Sequence, residues 1–345
     1  MLACGRNFYA LAFAAPNRSR HQLVDAAGLQ RHDLVEAGLS MSPQLLRWKQ
    51  AGHFFEWQGL RVFYRMAGRG PTILLIHGYP VSSYDWHRVW DDLSTDFTLV
   101  APDMLGMGFS DKPADFSYSI AQHAQMHQVL LEHLQIRQTR VVAHDLGVSV
   151  VQEMLAMKQN ALASPSHGCK TDITDITFLN GGICPEAYRP RWIQRLLASR
   201  AGAWIGPQIP QATFEKTISK LFGRQTQPSA ELLADFWALY EYGGGRMMNH
   251  RVGRFWRDRL AQRDRLVNAT LNANIPMRLI NGAADSNSGW HMAMAFQRLM
   301  PAMPVIKLEG IGHWPQIEHA KEVVAAIQSF ALPSSCPIPA VANAQ

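Results

Sequence analysis

The chain has 345 residues, 47% of them hydrophobic, and 33 Lys and Arg against 27 Asp and Glu give it a formal charge of +6. That length suits one large domain, or one domain with an inserted lobe, whose core is big enough to hold without disulfides. No apolar run reaches the ~18 residues of a membrane span, so membrane association is not expected. The four cysteines (Cys4, Cys169, Cys184, Cys336) are scattered without a C-x-x-C pair, which reads as free thiols in a reducing, cytoplasmic compartment rather than as disulfides or a metal set.

Residues 1–45 read as an extension outside the fold. Arg6 and the apolar run Phe8–Ala15 resemble a weak signal peptide, but Arg18, Arg20 and His21 follow at once, and Met41 stands as an alternative start. Phe54–Trp57 and Arg61–Arg65 are predicted strands about a Gln58-Gly59 turn. Thr72–Ile76 is a buried strand ending in His77-Gly78-Tyr79-Pro80. Ser83–Leu93 reads as helix and Phe97–Ala101 as strand, and the glycines at 106 and 108 make a loop required by backbone geometry rather than a phosphate site. Tyr118–Leu134 is an amphipathic helix with Ile120, Met126, Leu130, Leu131 and Leu134 on one side. Its His123 and His127 have i,i+4 spacing but lack a third ligand, so they read as a solvated face and no metal is expected.

Thr139–Ala143 and Ile173–Leu179 are further strands. Residues 184–270 carry no strand pattern and many helical ones, which marks a helical insertion. Seven arginines fall between Arg246 and Arg265. With Asp258 and Asp264 interleaved and i,i+4 pairing available, they are read as a solvated helix face rather than a nucleic-acid surface. Strands over Ile275–Ile280 and Val305–Leu308 are followed by helices over Gly289–Leu299 and Ala320–Phe330, and residues 333–345 read as a disordered tail. The alternation implies an α/β fold with a mostly parallel sheet covered on both faces. The core is assigned to 46–183 and 271–332, and a helical cap to 184–270.

The segment Val141-Val-Ala-His-Asp-Leu-Gly147 has the small-x-nucleophile-x-small form of a nucleophile elbow, with Asp145 where a serine usually stands. A carboxylate there suits attack on an electrophilic sp³ carbon, giving an ester between enzyme and substrate. The dipole of the helix that follows favours an anion at this point. Downstream, Asp285 and His313 each follow a strand, and the order nucleophile, acid, histidine is that of the α/β-hydrolases. The backbone N–H groups of Tyr79 and Leu146 are the candidate oxyanion hole.

These marks resemble the epoxide hydrolase and haloalkane dehalogenase group of the α/β-hydrolase superfamily. The residues are His77-Gly-Tyr-Pro80, Asp103…Gly106-x-Gly108-x-Ser110-Asp111-x-Pro113, His144-Asp145-x-Gly147, Asp285 and Gly312-His313, spanning about 50 to 330. Trp48-Lys-Gln-Ala-Gly-His-Phe-Phe55, Gly59-Leu-Arg-Val-Phe-Tyr64, Ser82-Ser-Tyr-Asp-Trp86 and Asn180-Gly-Gly-Ile-Cys-Pro-Glu186 are more closely similar to the mesoderm-specific transcript proteins and their bacterial relatives. The resemblance implies a cofactor-independent hydrolase for a small apolar substrate and water, with Asp145 attacking carbon and His313, oriented by Asp285, activating water. Three features depart from the dehalogenases. Leu146 stands where a halide-binding Trp usually follows the nucleophile, or an Arg in fluoroacetate dehalogenases, and Tyr79 stands where some carry Asn. His144 fits the epoxide hydrolases, which protonate the opening ring with two cap tyrosines. Tyr188, Tyr240 and Tyr242 lie in the insertion and, with His77, are the candidate substrate-binding residues, packing being the competing role for Tyr240 and Tyr242. A dehalogenase-like hydrolase and a non-catalytic hydrolase-like scaffold remain the alternatives.

Overall fold

The structure is a computed structural model that describes residues 40–163 and 171–330. The signal-like run, the proposed disordered tail and Cys4, Cys169 and Cys336 lie outside them.

One eight-stranded sheet organises the chain, in the order β1-β2-β4-β3-β5-β6-β7-β8. Its strands are β1 (Gly52–Trp57), β2 (Leu60–Ala67), β3 (Thr72–Ile76), β4 (Thr98–Pro102), β5 (Gln138–Asp145), β6 (Asp172–Gly181), β7 (Met277–Gly282) and β8 (Val305–Leu308). β2 pairs antiparallel with β1 and β4, and every pair from β4 through β8 is parallel. Side chains alternate across the sheet as the pleat requires. Leu74, Ile76, Val141 and Ala143 pack on one face with Met126, Leu130, Val151 and Met154 of the helices α3 (Ile120–His133) and α4 (Leu146–Ala163). Ile73, Leu75, Leu99 and Val142 face the other way, onto Trp86, Trp90, Trp314 and Ile327.

The predicted helix over Ser83–Leu93 is instead a 3₁₀ turn, Ser83–Trp86, and a short helix α2 (Trp90–Ser94). Ser82 Oγ accepts from Tyr84 N, and Asp103 Oδ1 accepts from Ser83 N at 2.7 Å. This ties the first turn down and turns Asp85 and Trp86 inward, both essentially unexposed. The assigned N-terminal extension ends too late, because helix α1 (Pro43–Gln50) begins before residue 46. Its signal was in the sequence: Ser42 caps Leu45 N, and Pro43 occupies the first turn, where its missing N–H costs nothing. Ser42 also donates twice to Asp235, at 2.8 and 2.6 Å.

Between β6 and β7 lie only helices and turns: α5 (Trp192–Leu197), α6 (Gly202–Ile205), α7 (Gln211–Ser219), α8 (Ala230–Glu241), α9 (Gly245–Val252), α10 (Phe255–Ala261) and α11 (Arg263–Leu271). Most of the arginines here are exposed, but their ion pairs are not the expected i,i+4 ones. Arg246 meets Glu241, Arg263 meets Glu186 and Asp264, and Arg265 meets Glu153 on α4. Arg259 breaks the pattern altogether and is fully buried.

His123 and His127 are also buried, at 1% and 0% exposure, which corrects the solvated-face reading. Their face of α3 is the packed one. His127 Nδ1 donates to the His123 carbonyl, while His127 Nε2 and both His123 ring nitrogens have no hydrogen-bond partner. Burial holds His123 down to about 3 and His127 to about 4. Both imidazoles are therefore neutral in the fold, whereas the unfolded chain takes up protons below about 6.5. Stability is drawn off as pH falls from about 6.5 toward those folded values. A His123→Leu variant is expected to be more stable than the wild type, by about 1–2 kcal/mol near neutrality and by more at pH 5. Urea titrations at pH 7.5 and pH 5 check this, and an equal difference at both pH values would refute the sign.

After β8 come two short elements, α13 (Pro315–Glu318) and α14 (Ala320–Ser329), with α12 (Trp290–Leu299) preceding that strand. No helix among the described residues is long and apolar enough to cross a membrane.

Candidate active site

The carboxyl ends of β3, β5, β7 and β8 converge, the usual place for a site in a parallel sheet. Asp145 ends β5 with a φ of 46°, a left-handed backbone that a non-glycine residue adopts only under strain. The sharp strand-to-helix turn projects the side chain outward, and three glycines make room for it. A Cβ on Gly78 would lie 2.7 Å from Asp145 Cβ, one on Gly147 2.4 Å from the Ile76 carbonyl, and one on Gly181 2.9 Å from the Asp145 carbonyl. The small-residue pattern of the elbow is thus a packing requirement.

Tyr79 N–H donates to Asp145 Oδ2 at 3.0 Å, and Oδ1 has no hydrogen-bond partner. Leu146 opens α4, so its N–H belongs to the first-turn donors that no helix carbonyl satisfies. Of the two candidate oxyanion donors, the Tyr79 N–H touches the carboxylate and the Leu146 N–H follows it directly in the chain.

His313 Nδ1 donates to Asp285 Oδ2 at 2.8 Å, with both residues at 2–3% exposure. Asp285 further accepts from Asn180 Nδ2, Ser288 N, Ser288 Oγ and Asn287 N. Burial pushes the Asp285 carboxyl up, but the His313 charge and these donors outweigh it and hold the group ionised, well below the usual carboxylate range. Burial likewise pushes His313 down. Asp285 first, then Asp145 and Asp85, overcome this and hold it up at about 9.

The imidazole is fixed from several sides. Its backbone N–H donates to the Leu221 carbonyl at 2.8 Å, and its carbonyl accepts from His144 Nε2 at 2.8 Å. His144 Nδ1 in turn lies 3.6 Å from Asp85 Oδ2. Glu318 braces the same loop, accepting from Gly312 N, Trp314 N, Gly223 N and Thr226 Oγ1.

Asp145 and His313 border one cavity, of about 70 Å³ for the centre of a water-sized sphere. Tyr79, Tyr188 and Tyr240 share its wall with Leu197, Phe214 and Leu221. Two sequence-predicted binding residues are not there. His77 Nδ1 donates to the Gly78 carbonyl and its Nε2 accepts from Met104 N. Burial drives its pKa to about 3, so it is a neutral brace for the loop. Tyr242 packs edge-on against Phe109, with Lys49 and Lys112 over its ring, because two residues on from Tyr240 the helix has turned by about 200° and faces the other way.

The architecture and its catalytic-end loops can be set against known proteins. An α/β-hydrolase-fold family profile matches residues 71–166. The mesoderm-specific transcript homolog protein of Bos taurus is 33% identical over 304 residues, covering 84% of this chain and 88% of its own. The chain belongs to the α/β-hydrolase family, alongside the mesoderm-specific transcript proteins. A Mycobacterium tuberculosis relative that bears the name "Putative hydrolase LipZ" is 29% identical over 84% of this chain and 98% of its own. Among solved structures, the epoxide hydrolase CorEH aligns with a TM-score of 0.66 at 19% identity, over 81% of this chain and 97% of its own. A haloalkane dehalogenase DbeA variant from Bradyrhizobium elkanii aligns with 0.65 at 20%, over 81% and 95%. At those identities the structures bear on the fold alone.

Sequence reading missed several of this hydrolase's site residues. Asn180, which in the sequence only opens the motif at 180–186, bridges β6 to Asp285 and to both backbone groups of Gly282. Ser288, three residues after Asp285, carries a local turn signal. Arg259 had none, since its neighbours come from distant segments, and Glu318 joins local donors at Gly312 and Trp314 to distant ones at Gly223 and Thr226.

Tyr188 is placed by its own network. Gln194 Oε1 accepts from Arg191 N at 2.8 Å, which directs Gln194 Nε2 to donate to the Tyr188 hydroxyl at 2.9 Å. Asn287 Nδ2 donates to the same oxygen at 3.3 Å. With its oxygen accepting twice, the phenol is left with its own proton to donate into the cavity.

Proposed function

We propose that this hydrolase opens an epoxide-like ring on a small apolar substrate through a covalent ester on Asp145, with the helical segment between β6 and β7 as its cap. The observation that carries the reading is a carboxylate, not a hydroxyl, on a strained elbow, facing the same cavity as the His313–Asp285 pair. Asp145 displaces the ring oxygen, which takes a proton from Tyr188. His313 then removes a proton from water, and the water oxygen adds to the ester carbonyl while the Tyr79 and Leu146 N–H groups hold the oxyanion. Forming the ester also removes the Asp145 charge, one of the groups raising His313. The imidazole thus becomes a free base more readily at the stage that needs one.

Ring opening is favoured over dehalogenation by the wall itself. It offers phenols and no indole N–H to a departing halide, and Leu146 is buried and apolar. The reading includes a cytoplasmic location, consistent with Cys184 as a buried free thiol.

A single turnover in ¹⁸O-water tests the mechanism. Because water attacks the ester carbonyl, the first diol released is expected to carry unlabelled oxygen from Asp145, and the label to appear in the peptide holding residue 145. Label in the first-turnover diol, with none in that peptide, would mean direct attack of water on substrate and would overturn the reading.

A further inference from the structure

Arg259 on α10 is fully buried and makes no ion pair among the described residues. Its Nε and Nη2 have no hydrogen-bond partner, and Nη1 lies 3.5 Å from Ser149 Oγ. The guanidinium lies 4.4 Å from the ring centre of Tyr188 and 5.3 Å from that of Phe255. It is pressed so closely on Gly182 that a Cβ there would sit 2.0 Å from Cζ. A buried cation without a counter-ion is costly, and a fold keeps one where a negative charge stands or develops nearby.

Two groups nearby meet that description: Tyr188, whose ring the guanidinium covers, and Asp145, which lines the same cavity as Tyr188 and precedes Ser149 by one helical turn. We propose that Arg259 is the fixed countercharge of the reaction, facing the Asp145 carboxylate before attack and the Tyr188 phenolate after it. This rests on the ring-opening reading above. The charge count is what links the two residues. When an Asp145 oxygen bonds to carbon, the ring C–O bond breaks and its oxygen takes the Tyr188 proton. The enzyme's negative charge has then moved from the carboxylate to the phenol. Ester hydrolysis regenerates the carboxylate and releases one proton, which returns to Tyr188. Arg259 faces an anion throughout without moving.

The other groups around Tyr188 divide by sign. Burial and the Asp145 and Asp285 charges push its ionisation up, while Arg259 and the Gln194 hydrogen bond pull it down. Arg191 borders the same cavity from the start of α5.

The test compares two alkylating reagents in a His313→Gln background, where ester on Asp145 accumulates and is counted by intact mass. Styrene oxide needs a proton on its leaving oxygen, and 1-iodobutane needs none. Arg259→Gln is expected to slow the epoxide reaction by about tenfold or more, as one pKa unit on the acid implies, while the iodide reaction changes by less than about threefold. Arg259→Lys should restore part of the epoxide rate. Tyr188→Phe should slow the epoxide alone, by about 10²-fold, and adding Arg259→Gln to it should cost little more. Equal slowing of both reagents, or fully additive losses, would overturn the proposal by making Arg259 merely structural.

A second measurement needs no substrate. In urea titrations Asp145→Asn should cost more stability in the Arg259 protein than in Arg259→Gln, because it leaves the buried guanidinium uncompensated. Equal costs in the two backgrounds would also overturn the proposal. If no ester forms with either reagent in any variant, the nucleophile reading fails, and the titration still decides the electrostatic role of Arg259.

Discussion

Replacing His313 by glutamine is expected to stall the protein as a covalent ester on Asp145. Glutamine keeps a polar side chain in the same space but has no basic nitrogen at working pH. Attack on the substrate carbon uses the carboxylate, held by the Tyr79 N–H, and for an epoxide the Tyr188 proton; none of these comes from His313, so the ester still forms. Its hydrolysis needs a base. Loss of general-base assistance lowers turnover by about 10²–10⁴-fold, and intact mass should show an adduct equal to the whole substrate mass for an epoxide, or to the substrate less hydrogen halide for a haloalkane. That mass difference separates the two chemistries in one spectrum. Absence of any adduct across both reagent classes would sink the aspartate-nucleophile mechanism and favour a scaffold.

The second large effect is expected at Gly78. Its φ is ordinary, so the constraint there is space alone. A methyl group would fall 2.7 Å from Asp145 Cβ, 3.0 Å from His144 Nδ1 and 3.2 Å from Asp145 Oδ2. The neighbours have little room to give, since Asp145 is strained at the elbow and His144 is bonded to the His313 carbonyl. Gly78→Ala is expected to cost about 1–3 kcal/mol of stability from overpacking and about 10²-fold in the rate of ester formation through misplacement of the nucleophile. Pre-steady-state ester formation alongside a urea titration checks both. A variant with wild-type alkylation rate would show that the contact relaxes.

The strands were legible because the sheet is parallel and buried on both faces, so they read as short apolar runs bounded by turn residues. β3 and β8 matched to the residue, and the others shifted by one or a few at their ends. The elbow, Asp285 and His313 were legible because each sits just beyond such a strand. What escaped depends on contacts between distant segments. Burial of His123, His127 and Arg259 follows from which helix faces meet, and periodicity does not distinguish a buried imidazole or guanidinium from a solvated one. The two flanking tyrosines differ for a backbone reason. Tyr240, in the last turn of α8, faces the cavity, and Tyr242, two residues on and about 200° around the helix axis, points elsewhere.

Glu318 binds backbone and hydroxyl donors from residues 223–226 as well as from the His313 loop. The stretch after α7 is therefore welded to the base and is not a hinge. In any chimera that borrows a relative's insertion to alter substrate range, the crossover should fall outside 221–226, or the graft will dislodge the imidazole it was meant to serve.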